Sequence, residues 1–120
     1  MIIAGAHLAH GGEYARSLTV LNQVERVAPN SLSIPWPKAI ALNGLNRYEE
    51  ALATSESGLA QLQGLEILDM EALLLVEKGN ALIGLGQPEQ ALSLATEALV
   101  LSPQLPMALD LTEKAQLAMQ

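Results

Sequence analysis

The sequence has no cysteine and no phenylalanine among its 120 residues, and only three aromatic side chains, Tyr14, Trp36 and Tyr48. Without cysteine there is no disulfide framework, no thiol nucleophile and no thiolate metal site. With so few rings the core has to be built from Leu, Ala, Ile and Val, which suits closely packed helices. The β-branched runs and strict apolar–polar alternation that mark strands are scarce as well. Basic residues are few: six Lys and Arg stand against thirteen Asp and Glu, a formal charge of −7. A phosphate backbone attracts the opposite sign, so nucleic acid is not an expected partner. No apolar run approaches the roughly 18 residues that a membrane-crossing helix needs. The opening MIIAGAHLAHGG has no basic stretch ahead of its short apolar segment, unlike a signal peptide. One domain is expected at this length, cytoplasmic and without membrane contact.

What is present is internal repetition. Shifting the chain by 34 residues places Gly5 on Ala39, Leu8 on Leu42, Tyr14 on Tyr48, Ser17 on Ala51 and Leu18 on Leu52. A further shift of 40 places Ala39 on Gly79, Leu42 on Leu82, Leu45 on Leu85, Ala51 on Ala91 and Leu52 on Leu92. A last shift of 34 puts Ala81 on Ala115 and Leu85 on Met119. Self-similarity at such periods marks stacked repeats, here about three and a half copies. Each copy reads as helix, turn, helix and stop. In the third, Leu75, Gly79, Leu82 and Leu85 recur at helical spacing, Gly86-Gln87-Pro88 makes the turn, and Ser102-Pro103 ends the second helix. In the second copy the turn lies within residues 43–47 and the stop at Gln63-Gly64. In the first, Gly11-Gly12 is the expected turn and Ala28-Pro29 the stop.

Glycine inside a helix costs about 1 kcal/mol relative to Ala. Gly79 is therefore expected where a neighbouring helix backbone leaves no room for a side chain, with Gly5 and Ala39 in the same place in their copies. Ser17, Ala51 and Ala91 are the matching small residues of the second helices, and Gly86 supplies the turn. Gly84 has no place in this scheme.

These positions resemble the tetratricopeptide repeat, a 34-residue helix-turn-helix unit with a small and a large apolar residue in its first helix, an Ala in its second and a terminal Pro. The resemblance is carried by Gly79, Leu82, Gly86, Ala91, Ala98 and Pro103 in the third copy, by Ala39, Leu42, Tyr48, Ala51 and Gly58 in the second, and by Gly5, Leu8, Tyr14 and Pro29 in the first. Lys38 and Lys78 depart from it, standing where the family has a Leu; Pro35 takes the place of a Trp, and Ser55 that of a large apolar residue. Six extra residues between the second and third copies are expected to lengthen the helices or loop of residues 59–70. The resemblance implies an all-α fold, an α-solenoid of three repeats at about residues 1–31, 32–65 and 72–105 with a capping helix at 106–119, seven helices in all.

In that family the first helices line a concave groove that holds the ligand. The implied groove residues are Trp36, Ile40 and Asn43 from the second copy and Val76, Asn80 and Ile83 from the third, flanked by Ile2, Ala6 and Ala9 at one end and Asp110, Lys114 and Leu117 at the other. An apolar wall with two amides suits a peptide or protein segment, apolar or basic, with Trp36 as an anchor or as packing between copies. Prolines on both sides hold Trp36 in a first helical turn, with Ser33 as a candidate cap. Ile2, Ala6 and Pro37 occupy the places where a clamp for a C-terminal carboxylate needs polar groups, so that mode of recognition is not expected. Seven acids and no Lys or Arg lie from Tyr48 to Glu77. They offer attraction for a basic ligand, although Glu49, Glu50, Asp69 and Glu71 sit near helix starts, where negative charge offsets the macrodipole.

Catalysis is not expected. His7, His10 and Glu13 are spaced three apart, but no fourth metal ligand accompanies them. GLGQPE lacks the lysine of a phosphate loop, and no Ser sits in a nucleophile elbow. No cofactor and no metal are implied. The first unit starts about three residues short of the family pattern, which suggests either a fragment of a longer array or self-association through an uncapped N-terminal edge. At the other end Asp110, Glu113, Lys114, Gln116 and Gln120 equip the last helix as a solvating cap. The leading functional expectation is a protein-interaction module; the alternative is a structural or regulatory segment docking through its apolar faces.

Overall fold

Every helix after the first opens on a proline or carries acidic residues in its first turn. The computed structural model describes the backbone of residues 3–120 and the surroundings of side chains from residue 12 onward. Six helices follow one another: α1 (Ile3–Val27), α2 (Pro35–Gly44), α3 (Tyr48–Leu62), α4 (Leu68–Gly84), α5 (Pro88–Leu101) and α6 (Pro106–Ala118), with no strand among the described residues. Pro35, Pro88 and Pro106 open their helices, where the missing N–H costs nothing. Glu49 and Glu50 in α3, Asp69 and Glu71 in α4, and Glu89 in α5 place negative charge in first turns. Ser33 is not the cap of α2: it shares a hydrogen bond with Ser31 (Oγ–Oγ 2.8 Å), and buried Ile34 holds the cap position.

The two turns that follow α2 and α4 are the same turn written twice. Leu45 N–H donates to Ala41 C=O (3.0 Å), Asn46 to Asn43 (3.0 Å) and Arg47 to Leu42 (2.8 Å). Forty residues on, Leu85 donates to Ala81 (3.0 Å), Gly86 to Ile83 (3.0 Å) and Gln87 to Leu82 (2.8 Å). This is the Schellman stop, whose left-handed residue is Asn46 at φ 61 in one copy and Gly86 at φ 81 in the other.

The first copy departs from the expectation. Instead of a turn at Gly11-Gly12, α1 runs unbroken through both glycines, and this accounts for six helices rather than seven. Gly12 does not take the left-handed conformation of Asn46 and Gly86. Glycine allows that conformation without demanding it. The stop in the other copies also half-buries a leucine, Leu45 or Leu85, at the helix end; Gly11 stands in the matching place and has nothing to bury. The six-residue insertion lengthens α4 at its N-terminal end, giving 17 residues against 10 in α2.

Each helix packs on the next in sequence, and α2 and α6 both pack on α4 as well. The central element is therefore α4. One cluster joins it to α5 and α6 through Leu75, Val76, Leu82, Leu94 and Leu111 with Ala91, Ala95, Ala98, Ala108 and Ala115; another joins α1, α2, α3 and α4 through Leu18, Leu42, Ala41, Ala51 and Ala81. Ala39, Ala51 and Ala91 are wholly buried, as their small size requires. Gly79 is buried against a side chain and not a helix backbone: a methyl there would fall 2.5 Å from Leu111 Cδ2 on α6. Gly84 gains its explanation here. The Tyr48 ring lies where its Cβ would stand, and the Tyr14 ring lies in the same way on Gly44. Lys38 and Lys78 reach back to the preceding helix, to Glu25 (2.8 Å) and Glu56 (3.6 Å), so an ion pair recurs at equivalent positions of α2 and α4.

Candidate functional site

α2 and α6 both pack on α4, and the C-terminal halves of α2 and α4 border one recess together with Lys114 of α6. This open recess of about 370 Å³ is bounded by Ile40, Asn43, Asn80 and Ile83, by the Tyr14 and Tyr48 rings over Gly44 and Gly84, and by Glu77 and Lys114. Glu77 is its chemical centre. Only 6% exposed, it is the one charged residue buried in the described part of the molecule. Asn43 Nδ2 donates both to the Glu77 backbone carbonyl (3.0 Å) and to its carboxylate Oε1 (3.0 Å), tying α2 to α4. Asn80 Nδ2, one turn along α4, donates to the same Oε1 at 3.4 Å.

Burial pushes the Glu77 carboxyl above its ordinary value, and this outweighs the two amide donors and the positive charge of Lys114, which pull it down. Lys114 does not close an ion pair with it; its ammonium stands 3.2 Å from Asp110 Oδ2 on the same helix. The other oxygen of Asn43, Oδ1, is buried and accepts no hydrogen bond among the described residues. The buried Asn43–Glu77 pair therefore has more acceptor oxygens than the two amides supply donors for. A buried acceptor without a donor is costly, and a buried carboxylate without a cation more so.

Of the six groove residues expected from the sequence, Ile40, Asn43, Asn80 and Ile83 border this recess. Val76 is 2% exposed and lies in the core shared by α4, α5 and α6. Trp36, near the start of α2, is half-buried outside the recess, with its indole N–H buried and without an acceptor among the described residues. Ile2, Ala6, Ala9, His7 and His10 lie outside the described side chains. Among the described residues no three metal-ligating side chains converge, and no helix is long and apolar enough to cross a membrane. Sequence reasoning missed Glu77 as a site residue, along with the two tyrosines. A signal existed for each: Glu77 interrupts the apolar run LLLVEKGNALIG, and Tyr14 and Tyr48 recur at the repeat period.

Two other recesses carry less chemistry. One, about 210 Å³, lies among α1, α2 and α3 beside the Lys38–Glu25 pair. The other, about 510 Å³, lies among α3, α4 and α5; its leucine wall is edged by Glu66, Glu71 and Glu97 and by Lys78, which pairs with Glu56. No family model, no curated protein and no solved structure matches the chain.

Proposed function

We propose that this chain is a tetratricopeptide-like solenoid that binds a peptide or protein segment across α2, α4 and α6. The observation that carries the reading is the duplicated α2 and α4 pair: two helices with one stop motif, forty residues apart, present Ile40 and Asn43 beside Asn80 and Ile83 in one open recess. Amides spaced along an apolar wall can bond a partner's backbone while the isoleucines cover its side chains. The packing order supports the solenoid, because contacts run to sequence neighbours and along the α2, α4 and α6 row. On this reading α6 is the cap. It buries Ala108, Leu111 and Ala115, and keeps Asp110, Glu113, Lys114 and Gln116 in water.

The test is selection of a random peptide display library on the immobilised chain. Enriched sequences are expected to lose at least tenfold in affinity to Ile40→Asp and Ile83→Asp variants whose circular dichroism is unchanged. Peptides that bind those variants as well as the parent sink the groove. One observation favours a second reading: Val20, Val24 and Val27, spaced four and three apart, are exposed along α1. No enrichment, together with a mass that doubles with concentration in light scattering, would replace peptide binding by docking of a second copy on that face.

A further inference from the structure

We infer that the recess around Glu77 is a receptor for one cationic side chain, lysine or arginine, of the bound partner, with Glu77 as its counter-ion and Asn43 Oδ1 as its second acceptor. The inference rests on the groove reading above and adds the chemistry of what enters. Three independent features converge on it. Glu77 is more than nine-tenths buried, borders the recess, and is in none of the ion pairs among the described residues. Asn43 Oδ1 is buried beside it and lacks a donor. The walls include two tyrosines, whose ring faces attract cations. An anion or a neutral amide acceptor would add a further acceptor to a place already short of donors, whereas an ammonium or guanidinium brings only donors.

The protein's own cation does not already fill the role. Lys114 is on the rim, more than half exposed and engaged with Asp110. It adds positive charge at the entrance, so it opposes an arriving cation instead of helping it. The net charge of −7 acts the other way and draws a basic segment toward the surface.

The experiment titrates the whole chain with N-acetyl-arginine amide and N-acetyl-lysine amide, and with their neutral counterparts, the citrulline and norleucine derivatives. The readout is the side-chain amide NMR signals of Asn43 and Asn80. Acetylation removes the α-amine, so only the side chain can supply charge. The expected result is a saturable shift with a cationic probe, at least tenfold weaker binding of the neutral ones, and at least tenfold loss in Glu77→Gln with its backbone spectrum preserved. Lys114→Met is expected to strengthen cation binding several-fold, a response that a purely structural Glu77 would not give. Absence of a saturable shift with either cation, equal binding of citrulline and arginine, or full binding by Glu77→Gln overturns the inference. The two readings fail separately: if selected peptides are neutral and bind Glu77→Gln unchanged, the cation site falls and the groove stands, whereas peptides that bind the Ile40→Asp and Ile83→Asp variants as well as the parent sink the groove.

Discussion

A carboxyl group at the meeting of three helices has to be supported by something. Glu77 is held by two amides and no cation, and burial favours its neutral form. A carboxyl whose folded-state pKa is raised lets the native state keep its proton when the unfolded chain has lost it. Its contribution to stability is therefore fully present below the ordinary value of 4.5 and is lost as pH rises through the folded pKa. Glu77→Gln is expected to raise stability at neutral pH by about 1 kcal/mol, because glutamine keeps an acceptor for Asn43 and offers an N–H to Asn43 Oδ1. In acid the difference should shrink toward zero. Urea unfolding of both proteins at neutral and acid pH reads this directly, and a glutamine variant that is less stable at neutral pH refutes it. The charged group facing Glu77 across the recess is Lys114 from α6, while α2 presents the neutral Asn43 and α1 and α3 present Tyr14 and Tyr48. Asn43 and Asn80 were legible in the sequence because helical spacing puts them beside Ile40 and Ile83. Glu77 was not legible as buried, because Asn43 of α2 packs on it and that neighbour is not encoded in the local pattern of α4.

At the scale of the element, the stops were legible where two requirements coincided. A residue that tolerates left-handed backbone stands at position 46 or 86, and a leucine just before it has somewhere to bury. Where only the first holds, at Gly12, the helix continues. This gives opposite expectations for two chemically identical substitutions. Gly12 is helical, with no atom in the way of a Cβ, so Gly12→Ala should stabilise the protein by about 0.5–1 kcal/mol. Gly84 ends α4 against the Tyr48 ring, and that ring is tethered by its hydroxyl donating to Asn46 Oδ1 (2.7 Å). There the added methyl overpacks the contact, and Gly84→Ala should cost about 1–3 kcal/mol. Thermal unfolding of the two variants compares them. A destabilised Gly12→Ala would mean that the first copy turns at its glycines after all. The long N-terminal extension of α4 was foreseen only as added length, since six residues can extend a loop as easily as a helix.

Across the whole molecule, which extends 40 × 33 × 24 Å, packing runs through α4, and the chain's small residues matter less as turns than as sockets. Which positions recur as small residues was legible from the self-comparison, but what packs against them was not. Gly79 was expected to admit a helix backbone and instead admits Leu111, a side chain 32 residues away that is 1% exposed. Sequence periodicity fixes which residues recur; which helix comes to rest against them depends on contacts made in space. The socket makes a quantitative demand. Leu111→Ala removes a filled core position and should cost about 2–5 kcal/mol. Gly79→Ala alone gains helix propensity but drives a methyl into Leu111, so it should cost about 1–3 kcal/mol. With both changes the new methyl occupies part of the volume that the leucine vacates, and the penalties should fall short of their sum by at least about 1 kcal/mol. Urea unfolding of the four proteins closes the cycle. Additive penalties would mean that α6 does not seat on α4 through this contact, and with it would go the placement of Lys114 at the rim of the recess.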